Sequence, residues 1–330
     1  MKQMLSGLSL TERVDVLNIG LMILSCWVAV IIPFELFLFS YAVLGPLHYL
    51  TEISWLHDNK YYANKGYDAI VLSFLAVVIA VLGIMTLVAK MDVAVISAMV
   101  FYVAFFAALL FILVKDNKFR LIGLAFILLT SSLANKYFVF FVVLLPTLVH
   151  VFLFTAFFML FGTIKSKSRT GIAALVALFL CAWFLLDLYA VPANYHASDY
   201  VRKNYDLFKA MNTTWLFHFN GVFPNSPSFN WDHEVYETTN GILIMRFIAF
   251  AYTYHYLNWF SKTNIIKWNK IPKVRMILIV AIWLLSIALY WKDYKLGLCW
   301  LLVLSYMHVL LEFPLNFRSM LLLVGYKSTK

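Results

Sequence analysis

Residues Ala69–Ala89 read AIVLSFLAVVIAVLGIMTLVA, 21 positions without a charge. A helix rises about 1.5 Å per residue, so this run is about 31 Å long and matches the hydrocarbon thickness of a bilayer. The same signature recurs on both sides of it. Val16–Ile32, Phe34–Leu56, Val93–Val114, Leu121–Leu133, Tyr137–Phe161, Gly171–Val191, Gly241–Phe260, Met276–Trp291 and Leu296–Phe313 complete a set of ten expected spans. Pro314 is read as the end of the last, which leaves Met320–Val324 too short to cross. Pro46 and Pro146 fall inside spans, where a missing backbone donor predicts a kink.

The composition agrees. The chain has 330 residues, 63% hydrophobic and 13% charged, against about 45–50% and about 25% in soluble domains. The expected fold is therefore all-α: a polytopic membrane helix bundle of about ten transmembrane helices, with residues 1–330 as a single integral membrane domain. The net charge of +10 is carried by short loops, not by a basic domain with interleaved aromatics, which excludes nucleic acid as a partner. Lys60 and Lys65, Lys115 to Arg120, Lys165 to Arg169, and Lys262 to Arg275 follow spans 2, 4, 6 and 8. Basic loops mark the cytoplasmic side, so both termini are expected there. The long non-apolar segment 192–240 then becomes an outer loop, with a surface helix expected over Tyr200–Met211. Cys26, Cys181 and Cys299 are too scattered for a disulfide framework.

Four of the eight histidines lie deep in spans: His48, His150, His255 and His308, on spans 2, 6, 8 and 10. All four spans run from outside to inside in the expected topology. Each histidine is about the thirteenth to fifteenth residue in, roughly 20 Å from the outer edge. Two of them have a glutamate four residues on, His48/Glu52 and His308/Glu312. Four residues is about 40° of rotation and about 6 Å of rise, so each pair shares a helix face. Ionisable groups inside a span are costly and face a protein interior or a cavity. Any single intramembrane histidine is as readily a packed, hydrogen-bonded residue as a ligand. Four at one depth point to one shared site for a transition metal, which imidazole suits. Glu52, Glu312 and Asn258 are placed as partners for the second ring nitrogen of the ligands, or as ligands themselves. Arg246, nine residues before His255, points away from that site; a structural ion pair with Asp187, or with Glu35, is its expected role.

One deep histidine per helix in a small polytopic chain resembles the bacterial integral-membrane β-carotene dioxygenases. The resemblance rests on the span layout and on His48, His150, His255 and His308 taken by role. It implies one iron ion (Fe²⁺), held by four histidines, and cleavage of the central double bond of a carotenoid in the bacterial cytoplasmic (inner) membrane. That family places two histidines on one helix, where this chain has His48/Glu52 or His308/Glu312. On this reading Tyr49, Phe154, Tyr252 and Trp259, with Tyr254 and Tyr256, line an apolar tunnel for a lipophilic substrate. Two other classes stay open: a proton- or metal-coupled membrane transporter, and a diiron hydroxylase- or desaturase-like enzyme. The outer halves of spans 2, 6 and 10 are nearly all apolar, which favours a closed pocket over a through-route.

Overall fold

The computed structural model describes residues 8–60, 65–188, 195–225 and 228–325. The protein is an all-α polytopic helix bundle, with no strand among the described residues. Among the described residues ten helices are long: α1 (Leu10–Ile31), α2 (Pro33–Asn59), α3 (Gly66–Ala89), α4 (Ala94–Leu113), α5 (Asn117–Asn135), α6 (Phe140–Ser166), α7 (Arg169–Asp187), then α11 (Thr239–Ser261), α12 (Lys273–Lys292) and α13 (Tyr294–Leu323). Short helices α8 (Asp199–Tyr205), α9 (Ala210–Phe219) and α10 (Trp231–Tyr236) lie in the 192–240 segment. Tyr200–Met211 is thus not one helix. It breaks into α8, a tighter turn at Asp206–Phe208 and the start of α9.

Among the described residues, nine helices are long and apolar enough to cross a membrane, and the chain is an integral, multi-pass membrane protein. The outward faces support this. Ile70, Phe74, Leu121, Leu129, Val274 and Ile277 are all exposed, an arrangement that water penalises and lipid does not. α11 is as long as the nine but less apolar, because it carries Arg246, His255 and Asn258. It is buried along most of its length, from Gly241 to Asn258.

The chain folds as two compact units, to which α2 and α6 each contribute a part. The first comprises residues 1–44 and 151–267. Here α11 packs on α1 and on the start of α2, and α1 packs on α7. Asp15 of α1 accepts hydrogen bonds from Ser168 and Thr170, at 2.8 and 2.9 Å, at the start of α7. Ser40 and Thr253 share a buried hydrogen bond of 2.8 Å. The loop helices are held by rings. Phe34 meets Tyr205 and Tyr236 at 4.8 and 5.2 Å, and Phe37 meets Phe208 and Tyr252, both at 5.0 Å. Three of these four pairs are edge-on, and such contacts add to the burial of apolar area. A Cβ at Gly241 would stand 2.2 Å from the Glu234 carbonyl oxygen, so α10 can meet α11 only where the side chain is absent.

The second unit comprises residues 45–150 and 268–330. α13 packs on α3, α4, α12 and the Gly45–Asn59 part of α2. It continues through Pro314 to Leu323, so the expected stop at Pro314 is wrong. One proline removes one backbone hydrogen bond, and neighbouring helices let an intramembrane helix absorb that loss. Pro46 and Pro146 act differently. A π-helical turn, Ser40–Leu44, immediately precedes Gly45-Pro46, and Pro146 sits inside a π-helical run, Phe140–Phe154. The wider turn makes room for the ring that an α-helical turn would clash with.

One ion pair ties three helices of this unit. Arg120 Nη1 lies 2.7 Å from Asp68 Oδ1, both groups fully shielded, while its Nη2 and Nε donate to the carbonyls of Phe111 and Val114. All three guanidinium nitrogens donate, and such further hydrogen bonds help a charged pair to survive burial. Arg120→Met is expected to cost about 3–5 kcal/mol by leaving the Asp68 charge uncompensated. Arg120→Met with Asp68→Asn should lose much less. Thermal unfolding of the two variants in one detergent measures the difference.

Candidate metal centre

The second unit brings together three of the four deep histidines and both glutamates. His48, His150, His308, Glu52 and Glu312 are each at most 4% exposed. α2 supplies His48 and Glu52 on one face, as their spacing requires, and His48 Nε2 stands 3.0 Å from Glu52 Oε2. α13 supplies His308 and Glu312 with the same spacing, but there the carboxylate turns to a different helix. Glu312 Oε2 stands 3.0 Å from Nδ1 of His150 on α6. The other nitrogen of that ring, Nε2, is 3.1 Å from His308 Nε2.

His308 is the middle ring. Its centroid is 5.0 Å from that of His150 and 5.5 Å from that of His48, both edge-on. One nitrogen of His48 and one of His308 lie within 4.8 Å of each other. Tyr49 lies flat on His308, with centroids 4.0 Å apart and planes 19° apart.

Two imidazole nitrogens at 3.1 Å either share one proton or share one cation. Ligands about 2.0–2.1 Å from a tetrahedral ion are about 3.3 Å apart, so the spacing fits a metal. Charge bears on the same choice. Among the described residues no lysine or arginine stands within ion-pair distance of Glu52 or Glu312. Glu52 Oε2 and Glu312 Oε2 are fully buried, close to imidazole nitrogens but out of line for a hydrogen bond with them. Two carboxylates in such a place need positive charge or protons.

The remaining expected site residues fall in the first unit. His255 is buried on α11, and its Nδ1 shares a 2.8 Å hydrogen bond with Thr155 Oγ1 on α6. Asn258 is not the group that meets that ring nitrogen; its Oδ1 accepts from Tyr254 Oη at 3.4 Å. Thr155 could have been suspected from sequence only as a small polar residue five positions after His150 in an apolar run. Phe154 is buried, Tyr252 packs against Phe37, and Trp259 is partly exposed. Arg246 is fully buried. Asp187 is exposed and takes the Trp183 indole N–H at 3.2 Å, while Glu35 takes the Tyr195 hydroxyl at 3.1 Å. The loop histidine His233 pairs with Glu237 in solvent.

Compared with family models, with curated proteins and with solved structures, the chain matches none.

The His255–Thr155 bond gives a test that needs no metal. Thr155→Val should lower stability by about 1–3 kcal/mol, the cost of leaving a buried polar group without its partner, whereas Thr155→Ser should stay near wild type. Unfolding temperatures of the purified variants provide the comparison.

Proposed function

We propose that this chain is a membrane-embedded non-haem metal oxygenase acting on a lipophilic substrate, with carotenoid cleavage as its specific reaction and the bacterial cytoplasmic membrane as its setting. The observation that carries the reading is the 3.1 Å approach of His150 Nε2 to His308 Nε2 beside His48 and two buried carboxylates. The donor set fits a divalent transition ion. Imidazole nitrogen and carboxylate oxygen together suit Fe²⁺ and its neighbours, and two carboxylates balance two positive charges. Monovalent copper would leave one carboxylate charge over. Bound there, a redox-active ion supplies the activation of dioxygen next to a substrate alkene.

The residues around it have separable tasks. With its proton on Nδ1, beside Glu312, His150 presents Nε2 as a ligand. With its proton on Nε2, beside Glu52, His48 presents Nδ1. A carboxylate this close to a ring nitrogen favours the tautomer with the proton on that nitrogen, which leaves the other one free to ligate. The apolar walls of α2, α6 and α13 keep water out and admit a substrate that partitions from lipid.

Elemental analysis of protein purified in mild detergent tests this. Wild type should carry about one divalent transition ion per chain and His150→Ala almost none. Glu312→Gln should bind the same ion roughly 10- to 100-fold more weakly. His255→Ala measures whether the fourth deep histidine adds to that affinity. Two ions per chain would move the reading to a diiron enzyme, and none in wild type would end it in favour of transport or packing.

A further inference from the structure

The three imidazoles of the second unit are not steadied in the same way. His48 has Glu52 beside it, and His150 has Glu312. The glutamate that shares a helix face with His308 is therefore engaged by His150. Against His308 lies a ring: the Tyr49 phenol covers its flat face at 4.0 Å and 19°. Tyr49 is only 1% exposed and follows His48 directly on α2. It meets the His48 ring edge-on, with centroids 5.7 Å apart. One residue thus touches two of the three histidines, and its stacking plane restricts rotation of the middle one.

We infer that Tyr49 is a positioning residue of the metal centre: its stacked ring holds the His308 imidazole in the plane that aims Nε2 at His150 Nε2. This rests on the metal-site reading above and replaces the expected substrate-lining role of Tyr49. The physical basis is the ring quadrupole. A π face attracts the positive charge that an imidazole acquires when it binds a cation, and the effect grows when both rings are shielded from water. The attraction comes from the ring, and the hydroxyl is not part of it. The aromatic face therefore does for His308 what a carboxylate does for His48 and His150, without adding a third negative charge to the cavity.

Cobalt(II) titration of detergent-purified protein tests the assignment, read by affinity and by the visible d–d spectrum, which reports ligand geometry. Tyr49→Phe should keep both wild-type affinity and spectrum. Tyr49→Leu should bind roughly 10- to 100-fold more weakly, a loss like that of other orienting partners, with a displaced spectrum. Tyr49→Met serves in its place if the leucine variant does not purify as a monodisperse species. A leucine or methionine variant with the wild-type affinity and spectrum overturns the role of Tyr49 while leaving the site intact. A phenylalanine variant as impaired as leucine overturns it too, because the hydroxyl would then be the active part. Failure of wild type to take up cobalt would instead overturn the metal-site reading itself.

Discussion

Burying ionisable groups where no water can reach them is the constraint on which the second unit depends. Three imidazoles and two carboxylates lie among apolar helices, each at most 4% exposed. An isolated carboxylate in such surroundings costs far more than a domain's net stability, so it neutralises, pairs or binds a cation. The groups here answer that demand by clustering: each carboxylate stands 3.0 Å from an imidazole, and the imidazoles converge on one another. The geometry of α2, α6 and α13 is what makes the clustering possible. Two of these three helices carry π-helical turns next to a proline, in the segments that lead to His48 and His150. A π turn displaces the following side chains from α-helical register. Removing it would rotate each histidine away from its present neighbours.

The same economy runs through the rest of the molecule. Helices that face outward are uniformly apolar and show little difference between their sides, as expected where the solvent is lipid. Several buried polar groups stand where partners meet them. Arg120 meets Asp68 and two carbonyls, Asp15 meets two hydroxyls, and His255 meets Thr155. In the first unit α11 shows the consequence most clearly. It is a long helix with an arginine, a histidine and an asparagine, buried along most of its length among aromatic and small residues.

Spans were legible because bilayer thickness sets a length that uncharged runs either meet or miss. Ala69–Ala89 became Gly66–Ala89, and Met276–Trp291 became Lys273–Lys292, with polar ends added by capping turns. Pro314 misled because proline stops helices in water more readily than in a packed membrane helix. The 192–240 segment was partly legible: one helix was expected, and three short ones formed among the described residues, two of which, α8 and α10, meet Phe34 through rings that no periodicity announces. Of the site, the residue types and the face shared by His48 and Glu52 followed from helical geometry alone. Glu312 did not, because its spacing pointed to His308 and only the packing of α6 against α13 gave it to His150.

Sequence by itself determined that this is a helical membrane protein, where its spans fall, and which few ionisable residues must be accounted for inside them. Those conclusions need only local quantities: hydrophobicity, rise per residue and 3.6-residue periodicity. Tertiary structure alone decided which of those residues meet. Rotation of each helix about its axis, and the offset introduced by each π turn, are set by packing between segments distant in sequence. That is why His150, His308 and Glu312 are neighbours, why Tyr49 lies flat on His308, and why Thr155 is the group that meets the His255 ring nitrogen.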